Sequence, residues 1–410
     1  MVPAKTKICI FATPGGQAWQ GGVEYYSTLI AALGSLPEER RKSIELGLLY
    51  NLEVEGAWVE GISQYLDKKY VVTKDVKPLT NLKRIIYFVD RKLHNKPPRY
   101  YLFFKDERYA RFLETNGIDF AFPFCSDRKY NPKCNYTSWI FDLQHKVLPD
   151  HFSPEEIKSR DYFMVNCAKY SNNIVFSSNC AVSDFNRFYP HLSVKSKVIS
   201  FHTKPELAWY KRNPTESQSK YNLPDRFFLI SNQFWKHKNH RIVWDALAIL
   251  KKKSVTPFIV CTGLLHEPRD IAYTSSMLQE LSRLGIYSQV RIVGFLPKQE
   301  QMDLLRRCIA VIQPSLSEGW STIVENARIF GKRVLLSKIP VHVEQMFEGC
   351  ISFDPGSKEE LATTMERVWL DPECKPGPNL DVEEKSRHKA ERAFADFADA
   401  WASLILKRGA

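Results

Sequence analysis

The residues best suited to chemistry stand between a β-rich run and a helical run in the second half of the chain. There, Glu318, Thr322 and Glu325 follow one another at spacings of four and three residues, which places them on one face if the stretch is helical. Carboxylates accept hydrogen bonds from sugar hydroxyls, and a helix N-terminus suits a phosphate. The same spacing is that of a capping box, in which Thr322 and Glu325 close the helix start and Glu318 lies in the preceding loop.

A loop with two lysines follows the first strand of the second half. It runs from Ser231 to His240 and contains Lys236 and Lys238, which would face a ligand at the carboxyl ends of the strands. A diphosphate is the natural partner of a lysine ammonium there. The alternative is a solvated loop in which Asn239 caps the next helix.

Two further candidates lie in the first half. Gly15, Gly16, Gly21 and Gly22 follow the first strand and open the first helix, so the backbone there can approach an anion closely. The alternative is a glycine-rich turn without a ligand. His145 follows a strand that reads as buried, where it either faces a cleft or serves the structure. The sequence has no D-x-D or H-E-x-x-H motif, and it predicts no metal site.

Short β-rich runs alternate with helical runs along the chain, which indicates parallel sheets covered on both faces. In the first half, the predicted strands are Ile8–Ala12, Ile44–Tyr50, Trp139–Leu143, Ile174–Ser177 and Val198–His202, and the predicted helices are Val23–Leu36 and Asp161–Ser171. In the second half, the predicted strands are Phe227–Ser231, Phe258–Thr262, Gln289–Val293, Ala310–Gln313, Arg333–Ser337 and Cys350–Phe353. The predicted helices between them are Arg241–Lys252, Tyr273–Leu284, Lys298–Arg307, Thr322–Phe330 and Lys358–Leu370.

The two halves meet in the polar, aperiodic stretch Lys204–Asn222, which is typical of a domain boundary. The pattern therefore predicts one α/β domain over residues 1–205 and a second over residues 206–382. The remaining residues, 383–410, contain the long predicted helix Glu383–Lys407, which we expect to pack back on the first domain.

The net charge of +12 suits nucleic acid, an anionic membrane surface or a phosphate-bearing substrate. The basic residues concentrate in the segment 79–116 and in Lys236–Lys238 rather than in a continuous stripe, which argues against nucleic acid. Over Lys83–Arg99 they alternate with aromatic residues, a pattern that suits peripheral membrane contact or an anionic acceptor. The alternative is a helical insertion that packs on the first domain.

The rest of the composition predicts a cytoplasmic protein that touches the inner membrane surface at most peripherally. No apolar run approaches the roughly 18 residues of a membrane span, and the first residues lack a signal-peptide pattern. The nine cysteines are scattered without a C-x-x-C pair, as expected for reduced thiols.

The segment Ser315–Ser337, which reads SLSEGWSTIVENARIFGKRVLLS, resembles the donor-binding motif of retaining glycosyltransferases of family 4. Four more segments resemble parts of that family in the expected order: Gly21–Glu24 (the start of its first helix), Phe141–Pro149 (the segment with an active-site His), Phe234–His240 (the phosphate-binding loop) and Val293–Leu296 (the base-contacting turn). The resemblance implies an α/β protein of the GT-B fold, with two Rossmann-like domains whose parallel sheets face across a cleft. The first would be the acceptor-side domain and the second the nucleotide-sugar-binding domain.

The resemblance also implies residue roles in sugar transfer from a UDP-, GDP- or ADP-linked donor, with no metal or other cofactor. Glu325 would bind the ribose diol, Glu318 the transferred sugar and Lys238 the diphosphate, while His145 would contact the transferring sugar. The other implied donor-binding residues are Gly21, Gly22, Gln233, Lys236, Gly294, Phe295, Gly319, Trp320, Ser321 and Thr322. The leaving phosphate would take the acceptor's proton on the front face, so no protein nucleophile is implied.

Two features depart from the family pattern. Six residues, rather than the common seven, separate Glu318 and Glu325, and Gln233 stands where many members have an Arg, with Lys236 available to compensate. The predicted function is a hexosyltransferase of polysaccharide or glycoconjugate synthesis, acting on a glycan, lipid-linked or small-molecule acceptor. A nucleotide-sugar epimerase on the same fold is the main alternative, and a basic nucleic-acid-binding protein is the other.

Overall fold

The chain divides into two compact units. The computed structural model describes residues 4–12, 19–76, 107–126 and 132–406. The first unit comprises Met1–Phe201 together with Phe394–Ala410, and the second comprises His202–Ala393. The predicted contact segment Lys83–Arg99 lies outside the described residues, as do Gly15 and Gly16.

A sheet of seven parallel strands forms the centre of the first unit as described. Its strands are β1 (Thr6–Phe11), β2 (Ile44–Tyr50), β3 (Lys68–Val71), β4 (Phe120–Phe122), β5 (Asn135–Ile140), β6 (Asn173–Phe176) and β7 (Ser196–Val198). They lie in the order β3-β2-β1-β4-β5-β6-β7. The central strands are buried on both faces because parallel connections place helices on each side of the sheet.

Helices connect these strands. They are α1 (Gln20–Gly34), α2 (Glu38–Lys42), α3 (Leu52–Gly61), α4 (Val72–Asp75), α5 (Glu107–Thr115), α6 (Gln144–Val147), α7 (Pro154–Tyr170) and α8 (Asn179–Phe188). The longest of them, α7, begins at a capping box in which Ser153 and Glu156 bond each other's backbone N–H groups, so its start is fixed by local sequence.

The second unit is built on a sheet of six parallel strands. They are β8 (Phe228–Ser231), β9 (Ile259–Thr262), β10 (Val290–Gly294), β11 (Ala310–Gln313), β12 (Val334–Ser337) and β13 (Cys350–Phe353). Their order is β10-β9-β8-β11-β12-β13. The order reverses between β8 and β11, and a crevice opens at the carboxyl ends of the strands at such a reversal. The loops after β8 and β11 are therefore the natural ligand-binding loops of this unit.

The helices of the second unit are α9 (Leu207–Lys211), α10 (Thr215–Lys220), α11 (His240–Lys252), α12 (Ile271–Arg283), α13 (Lys298–Arg307), α14 (Thr322–Ile329), α15 (Pro340–Glu344) and α16 (Lys358–Leu370). The last helix, α17 (Leu380–Leu406), begins in the second unit and ends in the first. Within the first unit, its Phe397 packs edge-on against Tyr25, and its Trp401 packs against Phe122.

The predicted α/β class with two parallel sheets is confirmed, and most predicted elements are present within a few residues. Two strands were missed: β3, whose first two residues are exposed lysines, and β4, which has three residues. The predicted strand Val198–His202 is wrong in its bounds, because β7 ends at Val198. The stretch predicted to be aperiodic, Lys204–Asn222, contains the short helices α9 and α10.

Candidate functional site

An ion pair joins the two loops that follow β8 and β11. Lys238 lies in the lysine loop (Asn232–Asn239), and Glu318 lies in the glutamate loop (Pro314–Ser321). The Lys238 Nζ donates to Glu318 Oε1 at 2.6 Å, and the two side chains are only 15% and 9% exposed. The crevice at the strand reversal thus contains one cation and one carboxylate, each shielded from water.

The side chain of Gln313, the last residue of β11, fixes the position of Glu318. Its Nε2 lies 2.9 Å from Glu318 Oε1, 3.0 Å from Ser321 Oγ and 3.2 Å from Ser315 Oγ. Its Oε1 accepts a hydrogen bond of 2.7 Å from Asn232 Nδ2. Because Gln313 is fully buried, this network connects the two loops within the interior of the second unit.

The two loops are also joined through their backbones. Leu316 N–H donates to the carbonyl of His237 at 2.7 Å. Asn239 is the N-cap of α11 in the left-handed conformation, with φ 54°. Its side chain does not cap that helix; it donates to the carbonyls of Pro314 and Pro355 at 3.2 Å. The predicted capping by the Asn239 side chain is therefore wrong, since this side chain hydrogen-bonds to two neighbouring loops.

Helix α14 begins at Thr322, and its N-cap is Ser321, whose side chain makes no capping hydrogen bond. Gln345 instead bonds the backbone of this N-cap residue: its Oε1 accepts from Ser321 N–H at 3.1 Å, and its Nε2 donates to the Ser321 carbonyl at 2.8 Å. The capping-box alternative for Thr322 and Glu325 is therefore wrong. Glu318 lies in the loop before the helix, so the three residues do not share one helical face.

Glu325 is a buried carboxylate, 1% exposed, on the first turns of α14. Its Oε1 accepts from Gln345 Nε2 at 2.9 Å and from Arg328 Nη2 at 3.3 Å. Its Oε2 lies 3.2 Å from His202 Nδ1 and 3.3 Å from Arg328 Nε. Burial raises the pKa of Glu325, but the hydrogen bond from His202 and the charge of Arg328 outweigh burial and lower it below its ordinary value. Glu325 is thus an ionised hydrogen-bond acceptor.

Glu318 is ionised for a similar reason. Burial raises its pKa, but the charge of Lys238 and the hydrogen bonds from Lys238 and Ser315 lower it below the ordinary value. His342 itself is buried, and burial lowers its pKa to about 4. Its Nδ1 lies 3.0 Å from the Ser337 carbonyl, so the neutral ring donates there.

Lys236 is the other charged residue predicted in the lysine loop. Its side chain extends toward the start of α12, where Asp270 is the N-cap. Its Nζ pairs with Asp270 at 2.8 Å, and both side chains are more than a third exposed. Gln233 Oε1 accepts from Leu264 N–H at 3.2 Å, which holds the loop after β9. Gln233 therefore has a structural contact in the place where the family pattern has an Arg.

Two glycines shape the edge of the sheet beside the lysine loop. Gly263 has φ +114°, and a Cβ there would lie 2.2 Å from the Asn232 carbonyl oxygen. Gly294 ends β10 with φ +78°, beside an irregular register between Ile292 and Gly294. The next residue, Phe295, is 37% exposed. Glycine is needed at both positions for the backbone conformation, and at the first also for space.

In the first unit, His145 lies on the short helix α6 and is fully buried. Its Nε2 lies 3.2 Å from Asp161 Oδ1 and 3.3 Å from the Tyr189 hydroxyl. Lys146 pairs with the same Asp161 at 2.7 Å. Burial raises the pKa of Asp161, but the hydrogen bonds from His145, Lys146 and Tyr189 bring it down to about 2. An ionised Asp161 accepts from Nε2–H, which leaves Nδ1 as the acceptor nitrogen of His145.

Gly21 and Gly22 lie in the first turn of α1, after its N-cap Trp19. A Cβ on Gly22 would lie 2.3 Å from the Trp19 ring. Trp19 in turn packs against Trp139 and Phe141, with ring centroids 6.0 Å and 5.5 Å away. The Trp19 ring therefore occupies the space that a side chain at position 22 would need.

Among the described residues, no group of three or more His, Cys, Asp or Glu side chains is placed to hold a metal ion. Over the same part of the chain, no helix is long and apolar enough to cross a membrane. All nine cysteines fall within the described ranges, and all are free thiols.

Comparison with known proteins bears on the second unit directly. Residues 212–389 match the family described as glycosyl transferases group 1. These residues are a group 1 glycosyltransferase domain. The match contains every predicted site residue from Gln233 to Glu325. It confirms the resemblance at the level of group 1 glycosyltransferases, together with the predicted enzyme class. No curated protein sequence matches the chain.

Solved structures agree with the fold over the whole chain. Anabaena Alr3699/HepE in complex with UDP and glucose has a TM-score of 0.67 and 17% identity, with 98% of this chain and 99% of that chain covered. A glycosyltransferase from Rickettsia africae ESF-5 has a TM-score of 0.65 and 15% identity, with 99% and 100% covered. Sucrose-phosphate synthase from Thermosynechococcus elongatus has a TM-score of 0.65 and 11% identity, with 98% of both chains covered. The predicted GT-B fold is confirmed.

Within the glycosyltransferase domain, the structure brings several predicted residues together. Glu318 and Ser321 meet at Gln313, Lys238 pairs with Glu318, and Glu325 is linked to Ser321 through Gln345. Thr322 begins the helix between them, Gly319 is buried, and Trp320 is partly buried. Lys236 and Gln233 belong to the same loop as Lys238, but their described side-chain contacts are with the region after β9. Gly21, Gly22 and His145 belong to the other unit.

Sequence reasoning missed four residues of the glycosyltransferase domain and one just before it. Gln313, Arg328 and Gln345 bond the glutamates, His342 bonds the Ser337 carbonyl, and His202 contacts Glu325. Gln313 was the last residue of a predicted strand, and a polar side chain at a strand's carboxyl end is a usable signal. Gln345 carries no such signal, because its partners lie 24 and 20 positions away in the sequence.

Proposed function

We propose that this protein is a retaining, metal-independent glycosyltransferase that transfers a hexose from a nucleotide-sugar donor to a glycan, lipid-linked or small-molecule acceptor. The observation that carries the proposal is the continuous network from Lys238 through Glu318, Gln313, Ser321 and Gln345 to Glu325. It presents one ammonium group and two ionised carboxylates beside a helix N-terminus, within a group 1 glycosyltransferase domain. These are the groups that a diphosphate flanked by two polyhydroxyl sugars requires.

The residue roles are those that the family resemblance implies, and the chemistry of the network fits them. Lys238 neutralises the diphosphate, and the open N–H groups at the start of α14 add to its attraction for phosphate. Glu325 accepts from the nucleotide ribose, and Glu318 accepts from hydroxyls of the transferred sugar. Gly294 and Phe295 form the turn that faces the base, and Gly319, Trp320, Ser321 and Thr322 line the sugar and phosphates.

The reaction exchanges one bond at the anomeric carbon. The bond to the diphosphate oxygen breaks, a bond to the acceptor oxygen forms on the same face, and the leaving phosphate takes the acceptor's proton. His145, with Asp161 on its Nε2, offers its Nδ1 to a hydroxyl of the transferring sugar. Uridine is the first base to test, because the solved structure of Anabaena HepE contains UDP and glucose.

A thermal-shift screen with UDP, GDP and ADP tests donor binding. A ligand at 100 times its Kd adds about 2.7 kcal/mol to the free energy of unfolding, so the matching diphosphate raises Tm by several degrees. The corresponding sugar donors are then incubated with and without EDTA, and released diphosphate is measured. A protein that no nucleoside diphosphate stabilises contradicts the proposal, and loss of activity in EDTA contradicts its metal-independent part.

The anomeric configuration of the product, read by NMR coupling constants, tests retention. An inverted product contradicts the retaining mechanism alone. The alternative function, a nucleotide-sugar epimerase, predicts conversion of the donor to its epimer without an acceptor and without net release of diphosphate. Peripheral membrane contact through Lys83–Arg99 remains a prediction from sequence.

A further inference from the structure

The two carboxylate oxygens of Glu325 accept different numbers of hydrogen bonds in the ligand-free protein. Oε1 accepts two hydrogen bonds, from Gln345 Nε2 at 2.9 Å and Arg328 Nη2 at 3.3 Å. A carboxylate oxygen has two lone pairs, so Oε1 is saturated. The hydrogen bond to Oε2 comes from His202 Nδ1 at 3.2 Å. The second lone pair of Oε2 can accept one incoming hydroxyl beside His202. A ribose diol brings two hydroxyls, and the second finds a position on Glu325 only where His202 donates.

The two donors on Oε1 are anchored by second contacts. Gln345 is also bonded to both the N–H and the carbonyl of Ser321. Arg328 also donates to the Gln345 carbonyl at 2.5 Å, and its guanidinium lies over the Phe347 ring at 5.0 Å. Moving either residue breaks several contacts, so both keep Glu325 in place whether or not His202 is present.

His202 lacks this anchoring. Among the described residues, Glu325 is its hydrogen-bonding partner and no second one is found. Its side chain is 28% exposed, whereas Glu325 is 1% exposed. It is the first residue of the second unit and follows the end of β7 in an irregular stretch. Its ring can leave Glu325 by a side-chain rotation that costs one hydrogen bond and returns the imidazole to water.

We propose that His202 is a placeholder: it occupies one of the two hydroxyl-accepting positions on Glu325 Oε2 in the ligand-free protein and has to leave before both hydroxyls of the nucleotide ribose bind. The inference rests on the proposed function, because it takes Glu325 as the ribose acceptor. Competition of this kind lowers the apparent affinity by the fraction of molecules in which the position is free. His202 therefore weakens the binding of ligands that present a diol and leaves the binding of ligands without a diol unchanged.

A positioning residue would behave in the opposite way. If His202 oriented Glu325 for the ribose, its removal would weaken nucleotide binding. If it had neither part, its removal would leave binding unchanged. The sign of the change in Kd therefore separates the placeholder from both other roles.

The experiment uses isothermal titration of the full chain with the tightest binder among UDP, GDP and ADP, and with its 2′,3′-dideoxy analogue. The variants are His202→Ala, His202→Asn and Glu325→Gln, with His191→Ala as a matched control at an exposed histidine. We expect Kd for the diphosphate to fall about 3- to 10-fold in both His202 variants, the size of one exchanged hydrogen bond. Kd for the dideoxy analogue should not change, because it has no diol to compete with His202.

An unchanged or higher Kd for the diphosphate in both folded His202 variants overturns the placeholder while the proposed function stands. An equal fall in Kd for the dideoxy analogue also overturns it, because the gain would then not involve the ribose hydroxyls. If the wild-type protein binds no diphosphate and the His202 variants bind none, the proposed function fails and the placeholder fails with it. If Glu325→Gln leaves binding intact, the assignment of the ribose acceptor is wrong.

Discussion

Lys238 and Glu318 form an ion pair of 2.6 Å in which neither side chain is more than 15% exposed. Each therefore depends on the other for compensation of its charge, since a charge that is taken out of water without a partner is costly. The pair joins the loop after β8 to the loop after β11, so it is both a structural connection and the charged centre of the proposed donor site. These two parts can be separated by experiment.

Replacing Lys238 by Met should abolish most donor turnover, with kcat/KM falling about 100- to 1,000-fold, as when a charge-stabilising group is removed from an active site. It should also lower the free energy of unfolding, because Glu318 remains buried without its cation. Urea unfolding of Lys238→Met, Glu318→Gln and the double variant measures the coupling, which we expect at about 1–3 kcal/mol. Lys253→Met removes an exposed pair with Glu366 and should change stability by less than about 1 kcal/mol. Independent, additive effects of the Lys238 and Glu318 substitutions would refute this coupling.

Replacing Gln345 by Ala should destabilise the protein and loosen Glu325. The substitution removes three hydrogen bonds, two to the Ser321 backbone and one to Glu325, at about 1 kcal/mol each. We expect the free energy of unfolding to fall by about 2–4 kcal/mol and the donor KM to rise. Gln279→Ala, at an exposed position of α12, is the control. A Gln345 variant with wild-type stability and KM would show that Glu325 is fixed by other groups.

The buried His342 predicts a particular pH dependence of stability. Its pKa in the folded protein, about 4, lies below its ordinary value of 6.5, so between these values the unfolded state binds more protons than the folded state. The stabilisation is fully present above about pH 6.5 and is lost as the pH falls toward 4. In His342→Gln, the slope of the free energy of unfolding against pH should decrease by up to about 1.4 kcal/mol per pH unit in this window.

The matched control for that measurement is His191→Gln, at an exposed histidine, which should leave the slope unchanged. Urea unfolding at half-unit intervals from pH 7 to pH 4 is sufficient. Equal slopes for the wild-type protein and His342→Gln would mean that His342 has the same pKa in the folded and unfolded states.

Two glycine substitutions distinguish the destabilisation that comes from a left-handed backbone conformation from the destabilisation that comes from a steric clash. Gly294→Ala adds a Cβ at φ +78° with no atom within 4 Å, so we expect a loss of only about 1–2 kcal/mol from the left-handed conformation. Gly263→Ala adds a Cβ that would lie 2.2 Å from the Asn232 carbonyl oxygen. Its cost should exceed that of Gly294→Ala by at least about 1–3 kcal/mol. Denaturation midpoints of the two variants provide the comparison, and equal midpoints would contradict it.

The sequence predicts the sheets well because buried parallel strands are continuous apolar runs bounded by polar loops. Ala310–Gln313 and Cys350–Phe353 are predicted with the bounds that the structure has. The missed strands lack this pattern: β3 begins with two exposed lysines, and β4 is three residues long. Their place in the sheet depends on pairing with β2 and β1, which no local pattern encodes.

The site is predicted unevenly for a similar reason. Glu318, Glu325 and Lys238 are found because a polar residue after an apolar strand is conspicuous. The spacing alone leaves the role of Glu325 open, and the choice between a helix cap and a ligand acceptor depends on Gln345, which occupies the Ser321 backbone groups. His202 lies 123 positions from Glu325, so only the folded chain reveals that contact.

Gln313 and Gln345, which hold the two glutamates in place, have primary amide side chains. A third amide, that of Asn232, donates a hydrogen bond to Gln313. An amide neither gains nor loses a proton in the range where enzymes work. These amide contacts are therefore indifferent to acidity and to ionic strength. The charged contacts of the site, Lys238 with Glu318 and Arg328 with Glu325, can respond to either. The amide contacts thus keep the same geometry over a wide range of conditions, while the charges of the residues around them change.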